Sequence, residues 1–134
     1  MNAEIFGKVQ DAFQEALGVP REKITFDANI IDDLGSDSLD LLDILFALEE
    51  KFGIKIKRGQ IEAMAREGIA EGAFEKEGCL TAQGAERLRQ ILPDADPQKI
   101  VDGMPIARIP YLFTVGTFYR LVEHKLAEKA EKPL

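Results

Sequence analysis

The sequence predicts an all-α protein, an antiparallel helical bundle with an inserted helical segment before the last helix. Apolar residues recur at helical spacing in several segments, and capping residues, glycines or prolines bound those segments. Residues 54–57 alternate between apolar and charged, but no partner strand is visible and an isolated strand is unstable. At 134 residues the chain fits one domain, 1–134, that can bury a core of its own.

The first two helices are predicted on either side of a polar loop. The first spans 5–17 and ends before Gly18. The loop over 21–37 contains apolar anchors and has room for one short helical turn. The strongest periodic segment is 38–52, where large apolar residues return at helical spacing until Gly53 ends the helix.

The inserted segment covers 58–107 and carries two further predicted helices. One spans 60–70, and the other spans 81–92, with a threonine as its N-cap and a proline after its end. Residues 93–110 hold four prolines. We therefore expect this stretch to be mostly loop, with one short turn at 98–101.

The last predicted helix spans 111–127, and residues 128–134 are expected to form a frayed tail. The apolar sides of the first, second and last helices would meet in the core, where each large side chain contributes about 1.5 to 3 kcal/mol of transfer free energy. The residues expected there are Phe13, Leu17, Leu42, Leu45, Leu48, Val115, Phe118 and Val122.

Composition and charge exclude several classes of partner. The formal net charge is −7, which argues against nucleic acid or an anionic membrane and favours basic protein partners. Cys79 is the single cysteine, so no internal disulfide or thiolate zinc site can form, and a reducing, cytoplasmic setting is expected. Residues 1–14 lack the apolar core of a signal peptide, and no apolar run approaches the roughly 20 residues of a spanning helix. We expect a monomer without stable membrane insertion.

The sequence predicts no metal site. Acidic and amide side chains at positions 27–33 could hold a divalent cation loosely, but the Asp-x-Asp-x-Asp-Gly pattern with a later Glu is missing. His124 is the single histidine and cannot build a site alone. Cys79 has no histidine near it in sequence, so we interpret it as a small, partly buried residue and not as a nucleophile.

The most informative stretch is 33–40, at the junction of the polar loop and the second helix. Ser38 lies at the helix start, where its hydroxyl would be exposed and where partial positive charge and free amide donors would tolerate an attached phosphate diester. Leu39 can point outward beside it as an apolar contact for a partner. The alternative is a plain N-cap role for Ser38, which Ser36 or Asp37 could share.

The Asp-Ser-Leu triplet at 37–39 resembles the attachment motif of acyl carrier proteins, and Ser38 matches the serine that the family modifies. The resemblance implies an acyl-carrier-like helical bundle and covers about residues 3–56 and 110–126. Other segments that resemble the family are 17–19, 23–25, 47–53 and 114–122.

By this resemblance, Ser38 would receive 4'-phosphopantetheine from a phosphopantetheinyl transferase that uses coenzyme A. The thiol at the end of the arm would hold acyl groups as thioesters. Because the transferase activates the hydroxyl, the chain needs no catalytic residues of its own and would not be an enzyme. The implied partners are acyl-transfer and chain-elongation enzymes with basic docking patches.

An acidic face on the second helix is the expected docking surface. Asp40, Asp43 and Glu50 fall on roughly one side with Leu39 and Phe46, which combines charge with apolar contacts. The alternatives are a face that is merely solvated, and a partly buried Phe46. By resemblance, the family's contact positions are Asp37, Leu39, Asp40, Asp43, Phe46, Glu49 and Glu50.

The family's core opens to shelter an acyl chain, so the resemblance also implies an acyl pocket. Nothing in the sequence separates a pocket wall from ordinary core at these positions. The candidate pocket residues are Leu42, Leu45, Phe52, Ile56 and Phe118.

The insert is the departure from the family, because about 50 residues stand where typical members have a short connection. Its apolar residues could extend the core or line a larger cavity, which suggests a specialised carrier for long or unusual acyl chains in lipid synthesis. Alternatively, the insert is a docking platform. A carrier module of polyketide or nonribosomal peptide synthesis would share the fold and the arm, whereas an unmodified acidic interaction domain would lack the arm.

Overall fold

The computed structural model describes residues 2–57 and 59–131, and it is mostly helical, which confirms the predicted fold class. No helix in these two ranges is long and apolar enough to cross a bilayer. The α-helices are α1 (Ala3–Leu17), α2 (Ser38–Phe52), α3 (Gln60–Glu67), α4 (Ala82–Ile91) and α5 (Val115–Glu131). The shorter elements are 3₁₀ helices at Arg21–Lys23, Pro97–Lys99 and Ile106–Leu112, with strands β1 (Glu75–Lys76) and β2 (Cys79–Leu80).

The chain divides into two compact units. Of the described residues, 2–56 and 114–131 form the first unit, which contains α1, α2 and α5. Residues 57 and 59–113 belong to the second unit, which contains α3, α4 and the two short strands. The predicted insert, 58–107, therefore falls inside the second unit.

The start and end of α1 are fixed by local hydrogen bonds. The Asn2 side chain accepts hydrogen bonds from the Glu4 and Ile5 amides, so the helix begins two residues before the predicted start at Ile5. Gly18 ends the helix in the left-handed conformation, with φ of 68°, and its N–H donates to the Gln14 carbonyl. Arg21–Lys23 forms the short turn that the sequence allows in the following loop.

Aromatic rings hold α1, the loop and α5 together within the first unit. The rings of Phe6, Phe26 and Tyr119 lie 5.8 to 6.0 Å apart between centroids and meet at an angle. Gly116 at the start of α5 lets Phe26 approach, since a Cβ there would lie 2.6 Å from the ring. The Gly116 N–H also donates to the Phe26 carbonyl at 2.8 Å.

The last helix differs from its prediction at both ends. It starts after Thr114, and not at Tyr111, because Thr114 and Thr117 exchange side-chain and amide hydrogen bonds that organise its first turn. The residues just before Thr114 form a 3₁₀ helix instead. The helix continues to Glu131, so residues 128–131 are helical where a frayed tail is predicted. Residues 132–134 lie outside the described residues.

In the second unit, α3 and α4 are joined by a side chain that caps a helix end. The Arg87 guanidinium donates to the Ala65 and Met64 carbonyls, at 3.2 Å each. The helix ends at Glu67 in this arrangement, three residues before the predicted end at residue 70. Thr81 caps α4 as predicted, by accepting from the Gly84 amide.

The antiparallel hairpin of β1 and β2 is absent from the sequence prediction. Its two-residue turn consists of Glu77 and Gly78, both with positive φ, the conformation that suits a tight hairpin. Each strand has only two residues, too few to give an alternating pattern. Residues 54–57 form no strand, and their description as an extended connection is confirmed.

Candidate functional site

A reciprocal pair of carboxylates fixes the start of α2. The Asp37 side chain accepts from the Leu39 and Asp40 amides at 2.9 Å each, and the Asp40 side chain accepts from the Asp37 amide at 3.0 Å. This arrangement is a capping box, with Asp37 as the N-cap. Of the alternatives that the sequence leaves open, the structure selects Asp37 and leaves Ser38 free of the capping role.

Ser38 is the first residue of α2, and its side chain is exposed. No hydrogen bond joins its hydroxyl to any residue that the structure describes. The hydroxyl lies at the positive end of the helix, where an attached anion is tolerated. A primary hydroxyl in this setting is available to an external enzyme.

Three amides of the first turn, which the sequence predicts to be free donors near an attached phosphate, are hydrogen-bonded within the chain. The Leu39 and Asp40 amides donate to the Asp37 side chain, and the Leu41 amide donates to the Asp37 carbonyl at 3.2 Å. A group on Ser38 would therefore feel the helix dipole without a cradle of amide donors. Its position would be fixed by the covalent bond alone, which suits an arm that has to move.

The loop that leads to Ser38 is organised by its own polar side chains. The Asn29 side chain accepts from the Ile31 and Asp32 amides, and the Asp33 carboxylate accepts from the Asn29 amide at 2.7 Å. These groups serve the turn and leave no arrangement for a cation. Within 2–57 and 59–131, no grouping of three or more His, Cys, Asp or Glu side chains could hold a metal ion.

Ser36 is a feature of the site that the sequence does not single out. Its side chain is buried, 5% exposed, and its hydroxyl has no hydrogen-bond partner among the described residues. Its amide donates to the Ile30 carbonyl at 3.2 Å, which places the residue inside the loop. A buried hydroxyl without a partner costs stability, so Ser36 weakens the loop beside Ser38.

The exposed side of α2 combines large apolar and acidic side chains. Leu39 and Phe46 are 70% and 62% exposed, the two largest exposures among the large hydrophobic residues that the structure describes. Asp43 and Glu50 are exposed too, and helical geometry places them on the same side, since positions four and seven apart share a face. Phe46 is therefore a surface residue, and not partial core.

Three of the predicted docking acids make hydrogen bonds within the chain. Asp37 and Asp40 form the capping box already described. The Glu49 carboxylate accepts from the Ile56 amide at 2.8 Å, and its side chain is half-buried. These three carboxylates therefore differ from those of Asp43 and Glu50, for which the structure shows no hydrogen bond to a described backbone amide.

The candidate pocket residues all belong to the first unit, but their burial differs. Leu42, Leu45 and Phe52 are half-buried, whereas Ile56 and Phe118 are buried. The ring of Phe118 meets that of Phe13 in the core, with centroids 6.0 Å apart.

The buried side of α2 is rotated from the predicted one. Ile44 and Leu48 are fully buried, and sequence reasoning misses Ile44. It selects Leu42 and Leu45 for the core, and both are only half-buried. The four-residue spacing of Ile44 and Leu48 is a signal for this face, but Leu41, Leu42 and Leu45 give competing signals of equal strength.

An ion pair connects α2 to α1. The Lys51 ammonium donates to the Glu15 carboxylate at 2.8 Å. This hydrogen bond raises the pKa of Lys51 above its ordinary value. Lys51 is the only basic side chain of α2, and its charge is neutralised by α1, so it does not offset the exposed acids.

Comparison with known proteins identifies the region around Ser38. A family model described as "Phosphopantetheine attachment site" matches residues 7–65. The "Acyl carrier protein" of Thermotoga maritima is 41% identical over 73 residues, which are 54% of this chain and 90% of the relative. The "Acyl carrier protein" of Saccharopolyspora erythraea is 40% identical over 65 residues, 48% of this chain and 68% of the relative. "Acyl carrier protein AcpXL" of Brucella melitensis is 48% identical over 63 residues, 47% of this chain and 68% of the relative.

The unpartnered hydroxyl of Ser36 gives a testable prediction. Ser36→Ala removes a buried polar group that has no hydrogen bond, so the free energy of unfolding should rise by about 1 kcal/mol. Urea denaturation followed by circular dichroism measures this change.

Thr117→Val is the matched control, because the Thr117 hydroxyl is also buried but accepts from the Thr114 amide. Its loss should lower the free energy of unfolding by about 1 to 3 kcal/mol. A decrease for Ser36→Ala similar to that of Thr117→Val would contradict the prediction, because it would mean that the Ser36 hydroxyl has a partner.

Proposed function

Since the chain belongs to the acyl carrier protein family, we propose that Ser38 carries its 4'-phosphopantetheine arm. The chain is a carrier and not an enzyme, and the arm supplies the thiol that holds an acyl group as a thioester. The observation that supports Ser38 is its exposed hydroxyl at the first residue of α2, inside the matched residues 7–65. Asp37, which takes the capping role, leaves this hydroxyl to the transferase.

The residues around Ser38 fit a mobile arm. The Leu39, Asp40 and Leu41 amides are hydrogen-bonded within the chain, so these three donors would not bind the phosphate of the arm. The Asp37 carboxylate, which accepts from the Leu39 and Asp40 amides, would repel the phosphate of the arm through its like charge. The protein then fixes the point of attachment at Ser38, and the length of the arm allows the acyl group to reach partner enzymes.

The experiment that tests this function is phosphopantetheine transfer to the purified protein. Incubation with a phosphopantetheinyl transferase and coenzyme A should increase the intact mass by one phosphopantetheine group, and Ser38→Ala should abolish the increase. Ser36→Ala is the matched serine control and should gain the group as the wild type does, because its hydroxyl is buried. A folded wild-type sample whose mass does not change would identify an unmodified interaction domain instead.

The partners of this carrier are proposed to be lipid-synthesis enzymes with basic docking patches. The surface that fits them, which we call the docking face, consists of Leu39, Asp43, Phe46 and Glu50, with Asp37 and Asp40 at its edge. The two apolar side chains supply contact area and the carboxylates steer a basic partner. Glu49 is not part of the docking face, because its carboxylate accepts from the Ile56 amide within the chain.

Removing the two exposed charges of the docking face tests this role. The double variant Asp43→Asn with Glu50→Gln should lower kcat/KM of the transferase for this carrier by about tenfold, and should weaken its dependence on ionic strength. The charge-matched control is Glu4→Gln with Glu22→Gln, two exposed acids outside α2. Equal effects of the two double variants would show that net charge acts, and not a defined face.

The cargo is proposed to be a long or unusual acyl chain. The support is the second unit itself, most of which lies beyond the matched residues 7–65 and which adds apolar residues to the carrier. The exchange of residues 58–107 for a short Gly/Ser linker tests this cargo. After loading from a series of acyl-coenzyme A donors, the wild type should protect long acyl thioesters from hydroxylamine more strongly than the shortened chain does. Identical chain-length profiles in two folded proteins would remove the support for this cargo.

A further inference from the structure

The segment that leaves α2 is tied back to a single residue. The Glu49 carbonyl accepts from the Gly53 amide at 2.9 Å and from the Ile54 amide at 3.3 Å. Its carboxylate reaches further and accepts from the Ile56 amide at 2.8 Å. Glu49 therefore holds three successive points of the connection, and its side chain holds the outermost one.

This carboxylate does not belong to the docking face. Glu49 follows Leu45 by four residues and Leu42 by seven, so the three share one side of α2. All three are half-buried, whereas Glu50, turned by one helical position, is exposed. The Glu49 hydrogen bond thus ties the backbone of Ile56 to the side of α2 that carries Leu42 and Leu45.

Buried and exposed side chains alternate along residues 54–56, the pattern expected of an extended strip that covers an apolar surface. Ile54 and Ile56 are each 7% exposed, while Lys55 between them is exposed. At the base of the strip, the Lys129 ammonium donates to the Gly53 carbonyl at 2.9 Å and attaches it to α5. The base is thus fixed by several bonds, while the Ile56 end depends on the Glu49 side chain for its described hydrogen bond.

We infer that Glu49 is a positioning residue for the acyl chain: it holds Ile56 against Leu42 and Leu45, and so sets how firmly an apolar chain on the arm is sheltered. The inference rests on the proposed function of Ser38 and on Leu42, Leu45 and Ile56 as residues that line the acyl pocket. Without the bond, the 54–57 segment parts from α2 and water reaches the thioester. Glu49 then affects how the acyl chain is sheltered, and not how a partner enzyme docks.

Three substitutions at Glu49 separate the effect of its negative charge from the effect of its hydrogen bond to the Ile56 amide. Glu49→Gln removes the charge but keeps an oxygen at the same reach that can accept from the Ile56 amide. Glu49→Asp keeps the charge but is one methylene shorter, so it loses that hydrogen bond. Glu49→Ala loses both, and Glu50→Gln is the control for an exposed acid at the next position.

The first measurement uses the unloaded protein and follows hydrogen exchange of the Ile56 amide by NMR. Exchange should be roughly tenfold faster in Glu49→Asp and Glu49→Ala, since the loss of one hydrogen bond shifts an opening equilibrium by about that factor. Glu49→Gln and Glu50→Gln should stay close to the wild type. The Val9 amide, in the buried part of α1, reports global unfolding and should not change in step with Ile56.

The second measurement uses protein loaded at Ser38 from decanoyl- or acetyl-coenzyme A by a phosphopantetheinyl transferase. Hydroxylamine should cleave the decanoyl thioester several-fold faster in Glu49→Asp and Glu49→Ala than in the wild type and in Glu49→Gln. The acetyl thioester is too short to be sheltered, so its rate should be the same in all variants. A purely structural role would not distinguish the two chain lengths.

The outcomes separate this inference from the proposed function. If Ser38 takes up no group, the proposed function fails, and the inference about cargo fails with it. If Ser38 is loaded but Ile56 exchange or decanoyl cleavage is unchanged in Glu49→Asp, only the inference is overturned. If Glu49→Gln instead slows transfer by the transferase while Glu49→Asp does not, Glu49 is a docking acid.

Discussion

The structure of the site depends on the hydrogen bonds between Asp37 and the first turn of α2. They supply acceptors for amides that a helix start leaves without partners, and such a cap contributes about 1 kcal/mol. Because Asp37 is the N-cap, Ser38 is the first residue of the helix and its side chain takes no part in capping it. Ser38 is thereby held at a defined place with a hydroxyl that has no internal task, which is the condition for modification by another enzyme.

The acids of α2 divide into two groups by what they bond. Asp37, Asp40 and Glu49 accept hydrogen bonds from backbone amides at the two ends of the helix, so these carboxylates are held in place by local structure. Asp43 and Glu50 make no such bonds with the residues that the structure describes, and they lie with Leu39 and Phe46 on the exposed side. A count of charges along the sequence cannot make this division, because it depends on where each carboxylate finds a donor.

The sequence predicts a structural feature correctly where the residues that determine it are close together along the chain. The bounds of α2 are those predicted, because its cap and its terminal Gly53 act within a few residues. The buried side of the same helix is not the predicted one: Ile44 is buried and Leu42 is only half-buried, and α2 packs against α1 and α5, which are distant in sequence. Ser38 is recognisable from its motif, whereas the unpartnered Ser36 hydroxyl and the bond from Glu49 to Ile56 depend on tertiary structure.

The second unit changes the carrier without changing its electrostatics. Residues 57–113 carry nine acidic and eight basic side chains, so the net charge of −7 lies almost entirely on the first unit. Ile61, Phe74 and Leu88 are buried, which means that much of the insert's apolar surface is already used in folding. A role in cargo selection therefore has to come from the apolar surface that remains, or from how the insert affects the segment that Glu49 holds. That segment, 54–57, leads directly into the insert, so the hydrogen bond from the Ile56 amide to Glu49 holds the last residues of the first unit where the chain passes into the second.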